Sequence, residues 1–424
     1  MQRYQDAGGR HVVTVHQLVP ESGEVDVREL AGRLTSAGDA PPPFAPETLA
    51  FCGELASALS RSPEARGSGE LQALAFWIRR AELQRLRDQF DALRTERTRL
   101  VPRGLVFHLP PSNVDTMFAY SWVLSLLVGN RNVVRLSERR SRQSAAICAI
   151  VARLLQAREF ETVRRTTAIV TYGHDTAVTQ ALSAVADVRV IWGGDRTVND
   201  IRAVRLPPHA RELTFVDRSS LCVIAAVRYL ALDDDGRQGL AARFYNDVYW
   251  FDQGACSSPR LVVWCGGADA AQRASRLFFS ELRRVTAERK YLVKTATALN
   301  KFSFACRAVL NAGVTRYERL SNAVTVLDLE DSSDVPAEHC GAGLFFQMRV
   351  DDLSDIVRLV RRRDQTLTSF GFDFDALDRL AAALNGRGID RLVPIGQALT
   401  FNRFWDGVDL LQELTRRVYV EAEW

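Results

Sequence analysis

Lysine is nearly missing from this chain. Lys290, Lys294 and Lys301 are the only three, so 52 of the 55 basic residues are arginine. That bias points to a GC-rich coding sequence before it points to any chemistry. No stretch approaches the roughly 18 consecutive apolar residues of a membrane span, and no apolar leader opens the chain. A cytoplasmic protein without a membrane span is therefore expected. The seven cysteines, at 52, 148, 222, 256, 265, 306 and 340, are odd in number and scattered. They form no CxxC pair and no His-Cys cluster with zinc spacing, which excludes a disulfide framework and leaves no expected metal site. Six of the seven read as reduced, mostly buried thiols. The net charge of +4 comes with no basic tail, repeat or base-stacking motif, so nucleic acid binding is not expected. GxGxxG is also absent, and with it the ordinary dinucleotide fingerprint.

What remains is ordinary globular material. The chain has 424 residues, 47% hydrophobic and 25% charged, enough for two sizeable cores. Residues 1–45 read as turn-rich, ending at Pro41-Pro42-Pro43. Helical spacing follows over 46–59 and 70–93. From Gly104 the pattern alternates: strands at 105–109, 132–136, 167–171 and 188–192, with helices near 115–128, 142–156 and 176–184. The cycle restarts near 221, with strands at 221–227, 261–264, 324–329 and 343–349 and a helix near 353–361. The expected fold is α/β, with two Rossmann-like units and parallel, helix-covered sheets sharing a cleft. Residues 1–220 make an N-terminal segment plus a cofactor-binding domain, and 221–385 a catalytic domain. Residues 386–424 return to the cofactor domain or to an oligomer interface.

Four segments carry the polar chemistry. Asp252-Gln-Gly-Ala-Cys256-Ser-Ser-Pro-Arg260 surrounds a cysteine with small residues, which lets a carbonyl approach the sulfur and turns backbone N–H groups toward it. A buried thiol in a tight loop would read the same way. No histidine is near in sequence, although a partner can lie far along the chain. A second segment is the strand ending Leu109-Pro-Pro-Ser-Asn113. It sets an amide at a strand's carboxyl end, either as an oxyanion donor or as a helix N-cap. His108 within that strand reads as structural. Third, Gly129-Asn-Arg-Asn-Val-Val-Arg135-Leu-Ser137-Glu138 ends a strand in groups able to hold ribose and phosphate, or in a solvated turn. Fourth, Trp192-Gly193-Gly194-Asp195 closes an apolar strand on glycines that admit a pyrophosphate.

In this order, with DRLVPIG and FWDG near the end, the markers resemble the aldehyde dehydrogenase superfamily, and within it the LuxC-type acyl-CoA reductases. The resemblance covers roughly residues 100–420. It implies that Cys256 is the acylated nucleophile and that Asn113 is the oxyanion amide. It places Arg135, Ser137 and Glu138 at the adenosine ribose and any 2′-phosphate, and Gly193 and Gly194 beside the cofactor phosphates. NADPH is the family's usual cofactor, and Arg135, Arg139 and Arg140 crowd the expected phosphate position. The implied reaction takes an acyl-CoA or carrier-bound acyl thioester, long-chain fatty or aryl, to the aldehyde. A LuxE-type acyl-protein synthetase partner and a homo-oligomer are implied with it. Two features depart from the superfamily. The general-base segment ELGGK has only Glu212-Leu-Thr-Phe near its place, and EIFGP has only Cys340-Gly-Ala-Gly-Leu-Phe345. A hydrolytic aldehyde oxidiser would need a base such as Glu212. An inactive scaffold subunit would be expected to have lost Cys256 or Asn113, and both are present.

Overall fold

The computed structural model describes residues 4–5, 11–36, 38, 40–111, 114–139, 141–311, 313–330, 335–336 and 338–422. The chain folds into two compact units, one formed by Met1–Val216 with Phe401–Trp424 and the other by Asp217–Thr400. The second crossing falls at 400/401, not near 385. Its cause is the strand Arg391–Pro394, which pairs in parallel with Asp364–Phe370 and so keeps that stretch in the second unit. Residues 401–424 return to the first unit, where Thr415–Tyr419 pairs antiparallel with Thr98–Pro102.

The first unit is built on a seven-stranded sheet. Its order is Arg211–Phe215, Val188–Trp192, Leu105–Leu109, Arg131–Leu136, Thr167–Thr171, Thr14–Val19, Gly23–Asp26. The first five are mutually parallel. Leu105–Leu109 and Val188–Trp192 are buried at every position, because helices cover both faces and leave no polar side to alternate with. Sequence order reverses between these two strands, and their carboxyl ends lie side by side, Leu109 opposite Ile191. Open α/β sheets bind ligands at such a reversal. The hairpin Thr14–Val19/Gly23–Asp26 adds antiparallel strands beside Thr167–Thr171, and helix Val27–Thr35 follows it. The expectation of turns through residues 1–45 missed these elements. The helical stretch 70–93 is in fact two helices, Gly69–Trp77 and Arg80–Asp91, broken where Arg79 turns extended at ψ 154°.

The second unit repeats the plan in the order Val314–Arg319, Thr325–Leu329, Leu344–Val350, Pro259–Cys265, Ser219–Ala225, Asp364–Phe370, Arg391–Pro394. Only Val314–Arg319 runs antiparallel to its neighbour. Alternation along Ser219–Ala225 feeds two cores. Cys222 and Ile224 join Phe244, Phe278 and Phe345 on one face, while Leu221 and Val223 join Phe346, Ile356 and Leu367 on the other. The parallel strands bring the amino ends of Pro259–Cys265, Ser219–Ala225 and Asp364–Phe370 together, and the cysteine segment immediately precedes the first of these.

Candidate active site

Helix Asp234–Tyr249 delivers the cysteine loop. Past its end, Asp252 and Gln253 take left-handed backbone angles, φ 50° and 63°, unusual for residues with side chains. The buried Gln253 amide explains why the turn holds. Its Nε2 donates to the Pro259 and Leu344 carbonyls, both at 3.0 Å, and its Oε1 accepts from Gly343 N–H at 3.1 Å. Ala342 N–H donates to the Asp252 carbonyl at 2.9 Å. Gly343 cannot be replaced without displacement, since a Cβ there would sit 1.8 Å from the Ala323 carbonyl oxygen. Ser220 Oγ donates to the Cys256 carbonyl at 2.7 Å, and Ser258 Oγ to the Asp247 carbonyl at 2.7 Å. Cys256 is thus half-buried on a loop whose backbone is pinned on both sides of it.

The surrounding titratable groups are mostly occupied. His339, the single histidine of the second unit, accepts at Nδ1 from Gly341 N–H and donates from Nε2 to the Leu344 carbonyl, both at 3.0 Å. That bonding fixes one tautomer, and burial lowers the ring's pKa to about 3, so the imidazole is neutral with no site left to take a proton. Lys301 is buried, and its Nζ donates to the carbonyls of Asn322 (3.1 Å), Ala342 (2.8 Å) and Gly343 (3.2 Å). Its ammonium holds the glycine loop behind the cysteine, and burial lowers its pKa to about 8. Burial raises the Cys340 thiol to about 11, which disfavours it as a second nucleophile. The fully buried Asp247 carboxyl accepts from Gly396 N–H (2.6 Å) and Ala398 N–H (2.9 Å), tying the segment after Arg391–Pro394 to the helix. Arg260 is half-buried near Cys256, and its Nε has no partner. Sequence reasoning passed over Gln253, Lys301 and Arg260 as site residues. Lys301 carried a signal, as one of three lysines in an arginine-rich chain.

In the first unit, Gly193 follows the strand at the order reversal, and its N–H donates to the Phe215 carbonyl at 3.0 Å. Gly194 caps helix Asp195–Arg202, whose first turn leaves N–H groups for an anion. Trp192 stacks on Phe215 with ring centroids 3.8 Å apart beside these glycines. Arg135 is less available than expected. Its guanidinium donates to the Tyr172 carbonyl (3.2 Å) and the Gly173 carbonyl (3.2 Å) and lies over the Tyr172 ring. Ser137 Oγ accepts from Arg139 N–H at 3.3 Å. Glu138 lines an open cleft of about 1140 Å³ with Tyr172, Gly173, His174, Thr176 and Glu24. Asn113 and Arg140 lie outside the described residues. Thr116 stands at the capping position of helix Met117–Leu127 and makes no side-chain capping bond.

His108 is structural. Asn132 Nδ2 donates to the Asn130 carbonyl, so its Oδ1 faces His108 Nε2 (3.0 Å), and the Ser121 hydroxyl donates to His108 Nδ1 (2.8 Å). Burial lowers the His108 pKa to about 4. Glu212 is clamped by Arg189, which is buried, and by Arg202 Nε at 2.9 Å. It also sits near the amino end of Arg211–Phe215. Phe215, beside Gly193, is three residues further on, roughly 10 Å at about 3.3 Å per residue.

The fold these elements define is that of the aldehyde dehydrogenases. Aldehyde dehydrogenase 21 from Physcomitrella patens superposes with a TM-score of 0.66 at 13% identity, covering 98% of this chain and 96% of that one. KauB from Pseudomonas aeruginosa gives a TM-score of 0.66 at 12% identity, with 98% and 94% covered. Within this fold the chain belongs to the acyl-CoA reductase (LuxC) family, whose model matches residues 71–417. The long-chain acyl-protein thioester reductase of Vibrio harveyi is 22% identical over 332 residues, 76% of this chain and 65% of that protein. Its Aliivibrio fischeri counterpart is 24% identical over 331 residues, 75% and 64%. The chain thus spans a little under two thirds of these relatives' length.

Proposed function

We propose that this chain reduces an acyl thioester to an aldehyde through an acyl-enzyme on Cys256. The observation that carries the reading is the cysteine loop: a half-buried thiol on a pinned backbone, in a unit whose single histidine has both ring nitrogens engaged. Such a site holds the sulfur in a fixed place for attack, and the unit's histidine has no free nitrogen with which to deliver water. The Cys256 thiolate attacks the thioester carbonyl, forming a carbon–sulfur bond and an oxyanion. The oxyanion is assigned to the Cys256 backbone N–H and, on the family motif, to the Asn113 amide. Collapse expels the carrier thiolate and leaves the acyl-enzyme. A nicotinamide held by the first unit would supply a hydride to the acyl carbon, which leaves the anion of a thiohemiacetal on Cys256 in the same oxyanion position. Release of the aldehyde returns the Cys256 thiolate.

The first unit fits a nicotinamide dinucleotide. Gly193, Gly194 and the start of Asp195–Arg202 suit its phosphates, and the Glu138-lined cleft suits its adenosine, with the carboxylate accepting from a ribose hydroxyl. NADPH is the proposed form. Arg139 would carry the 2′-phosphate contact, because the Arg135 guanidinium is engaged with carbonyls. Fatty and aryl acyl groups, presented on CoA, a carrier or a LuxE-type synthetase, are the proposed substrates. Among the described residues no helix is long and apolar enough to cross a membrane.

Intact mass after mixing the chain with a reactive acyl thioester, without cofactor, tests the reading. One acyl adduct is expected on the wild type and none on Cys256→Ala. The adduct should be discharged as aldehyde with NADPH in preference to NADH. A Cys256→Ala chain that still forms aldehyde would overturn the mechanism.

A further inference from the structure

A thiol of ordinary pKa, near 8.5, is mostly protonated at neutral pH, so a cysteine nucleophile needs something that favours its anion. The usual device is an imidazole, and His339, the histidine of this unit, has no nitrogen to spare. Lys301 is turned to three carbonyls. Arg260 is left. It lies four residues past Cys256, at the second position of Pro259–Cys265, with its guanidinium within electrostatic range of the Cys256 thiolate.

Its neighbours show by contrast what Arg260 does not do. Arg361 Nη1 donates to the Val335 carbonyl and Arg363 Nη2 to the Pro336 carbonyl, both at 3.2 Å. Arg391 donates to the carbonyls of Gln397, Ala398 and Thr400. These arginines fasten backbone. The Arg260 guanidinium makes no hydrogen bond to any described residue, and its Nε is buried. Removing a guanidinium from water costs free energy that only an anion or good acceptors offset.

Two carboxylates are in the region, and neither is its ion-pair partner. Asp217 is exposed and beyond ion-pairing distance, acting on Arg260 only at longer range. Asp364 has one oxygen on Ser219 Oγ and the other on Arg361 N–H at 2.7 Å. Asp364 also starts a strand two away from that of Arg260, with Ser219–Ala225 between them, roughly 10 Å at about 4.8 Å per strand. Arg363, His339 and Cys340 complete the groups around this guanidinium, and none of them is an anion at neutral pH.

We propose that Arg260 holds Cys256 in its thiolate form, as an electrostatic positioning residue whose counter-ion is the nucleophile itself. The proton that leaves Cys256 passes to water, and the guanidinium cannot take it back because it has no acceptor site. The proposal rests on Cys256 being the nucleophile.

The test is the pH profile of Cys256 alkylation by iodoacetamide, followed by peptide mass on the full chain without cofactor or acyl donor. The wild-type midpoint is expected below 8.5. Arg260→Gln should raise it by at least one unit, a loss of about tenfold in thiolate at pH 7. Arg260→Lys, which keeps the charge, should restore most of the shift even if Arg260→Gln folds poorly. Arg363→Gln should leave the midpoint near the wild-type value. A wild-type midpoint at or above 8.5 would overturn the proposal, as would Arg260→Lys behaving like Arg260→Gln, or a midpoint unmoved in Arg260→Gln. Those results leave the acyl-enzyme reading intact, because acyl transfer to Cys256 in the mass experiment fails or succeeds separately.

Discussion

Replacing Gln253 by alanine isolates what the loop contributes to the nucleophile. The substitution removes two N–H donors from the Pro259 and Leu344 carbonyls and one acceptor from Gly343 N–H. Each buried group left without a partner costs about 1–3 kcal/mol, and a cavity adds to that. The Leu344 carbonyl keeps His339 Nε2, so the Pro259 carbonyl and the Gly343 N–H carry the loss, and with the cavity roughly 3–5 kcal/mol is the expected total. For a unit the size of Asp217–Thr400, about 2–4 °C per kcal/mol translates this into a melting point lowered by roughly 6–20 °C. The damage should not stop at stability. The left-handed turn at 252–253 is held by these bonds, so Cys256 loses its fixed register. Differential scanning fluorimetry should show the drop. Alkylation of Cys256 at 15 °C, where the variant is still folded, should slow several-fold while that of the exposed Cys306 does not. A variant melting within 3 °C of wild type, with Cys256 equally reactive, would refute the reasoning.

Two further outcomes are expected. Glu212→Gln should lower the unfolding midpoint, because the buried Arg189 keeps Ser183 and the Val204 carbonyl but loses the carboxylate that balances its charge, at a cost of up to about 3–5 kcal/mol, yet turnover per folded molecule should stay within about threefold of wild type. A loss beyond tenfold at unchanged fold would restore Glu212 as a base. Burial raises the Asp247 carboxyl from 3.8 to about 7, so between those values the native chain keeps a proton the unfolded chain has released. Its contribution to stability therefore declines as pH climbs through about 4 to 7 and is level above. Urea unfolding should show wild type losing ground against Asp247→Asn between pH 5 and pH 8, and the opposite trend would contradict the assignment.

Strands were legible in the sequence where burial was total or nearly so. Leu105–Leu109, Thr167–Thr171 and Val188–Trp192 were read at their observed bounds, because β-branched and aromatic residues fill them and helices cover both faces. The hairpin at 14–26 was not, because an edge position leaves half of it polar and its turn residues dominate the reading. Nothing in composition marks the break at Arg79, which has no proline or glycine beside it. The cysteine and the glycine pair could be found locally. Their supports could not: Gln253 meets Gly343 and Leu344 some ninety residues along the chain. Arg135 misled for the same reason, since the carbonyls of Tyr172 and Gly173 that take its donors belong to a neighbouring strand's end.

The acyl-enzyme proposed here has two chemical fates, hydride transfer or attack by water, and the second needs a base. The groups read from the sequence as possible bases, and the titratable groups described around the cysteine, are otherwise engaged. His339 and His108 have both nitrogens in hydrogen bonds, Glu212 lies between two arginines, and Asp247 accepts from two backbone N–H groups. Lys301 is an ammonium on three carbonyls below a pH of about 8. What stands beside the cysteine is Arg260, a cation that favours a thiolate and cannot accept a proton from water. A site that supplies positive charge and withholds a base makes a thioester readily and hydrolyses it slowly. That combination suits an enzyme that must keep its acyl group on sulfur until hydride arrives.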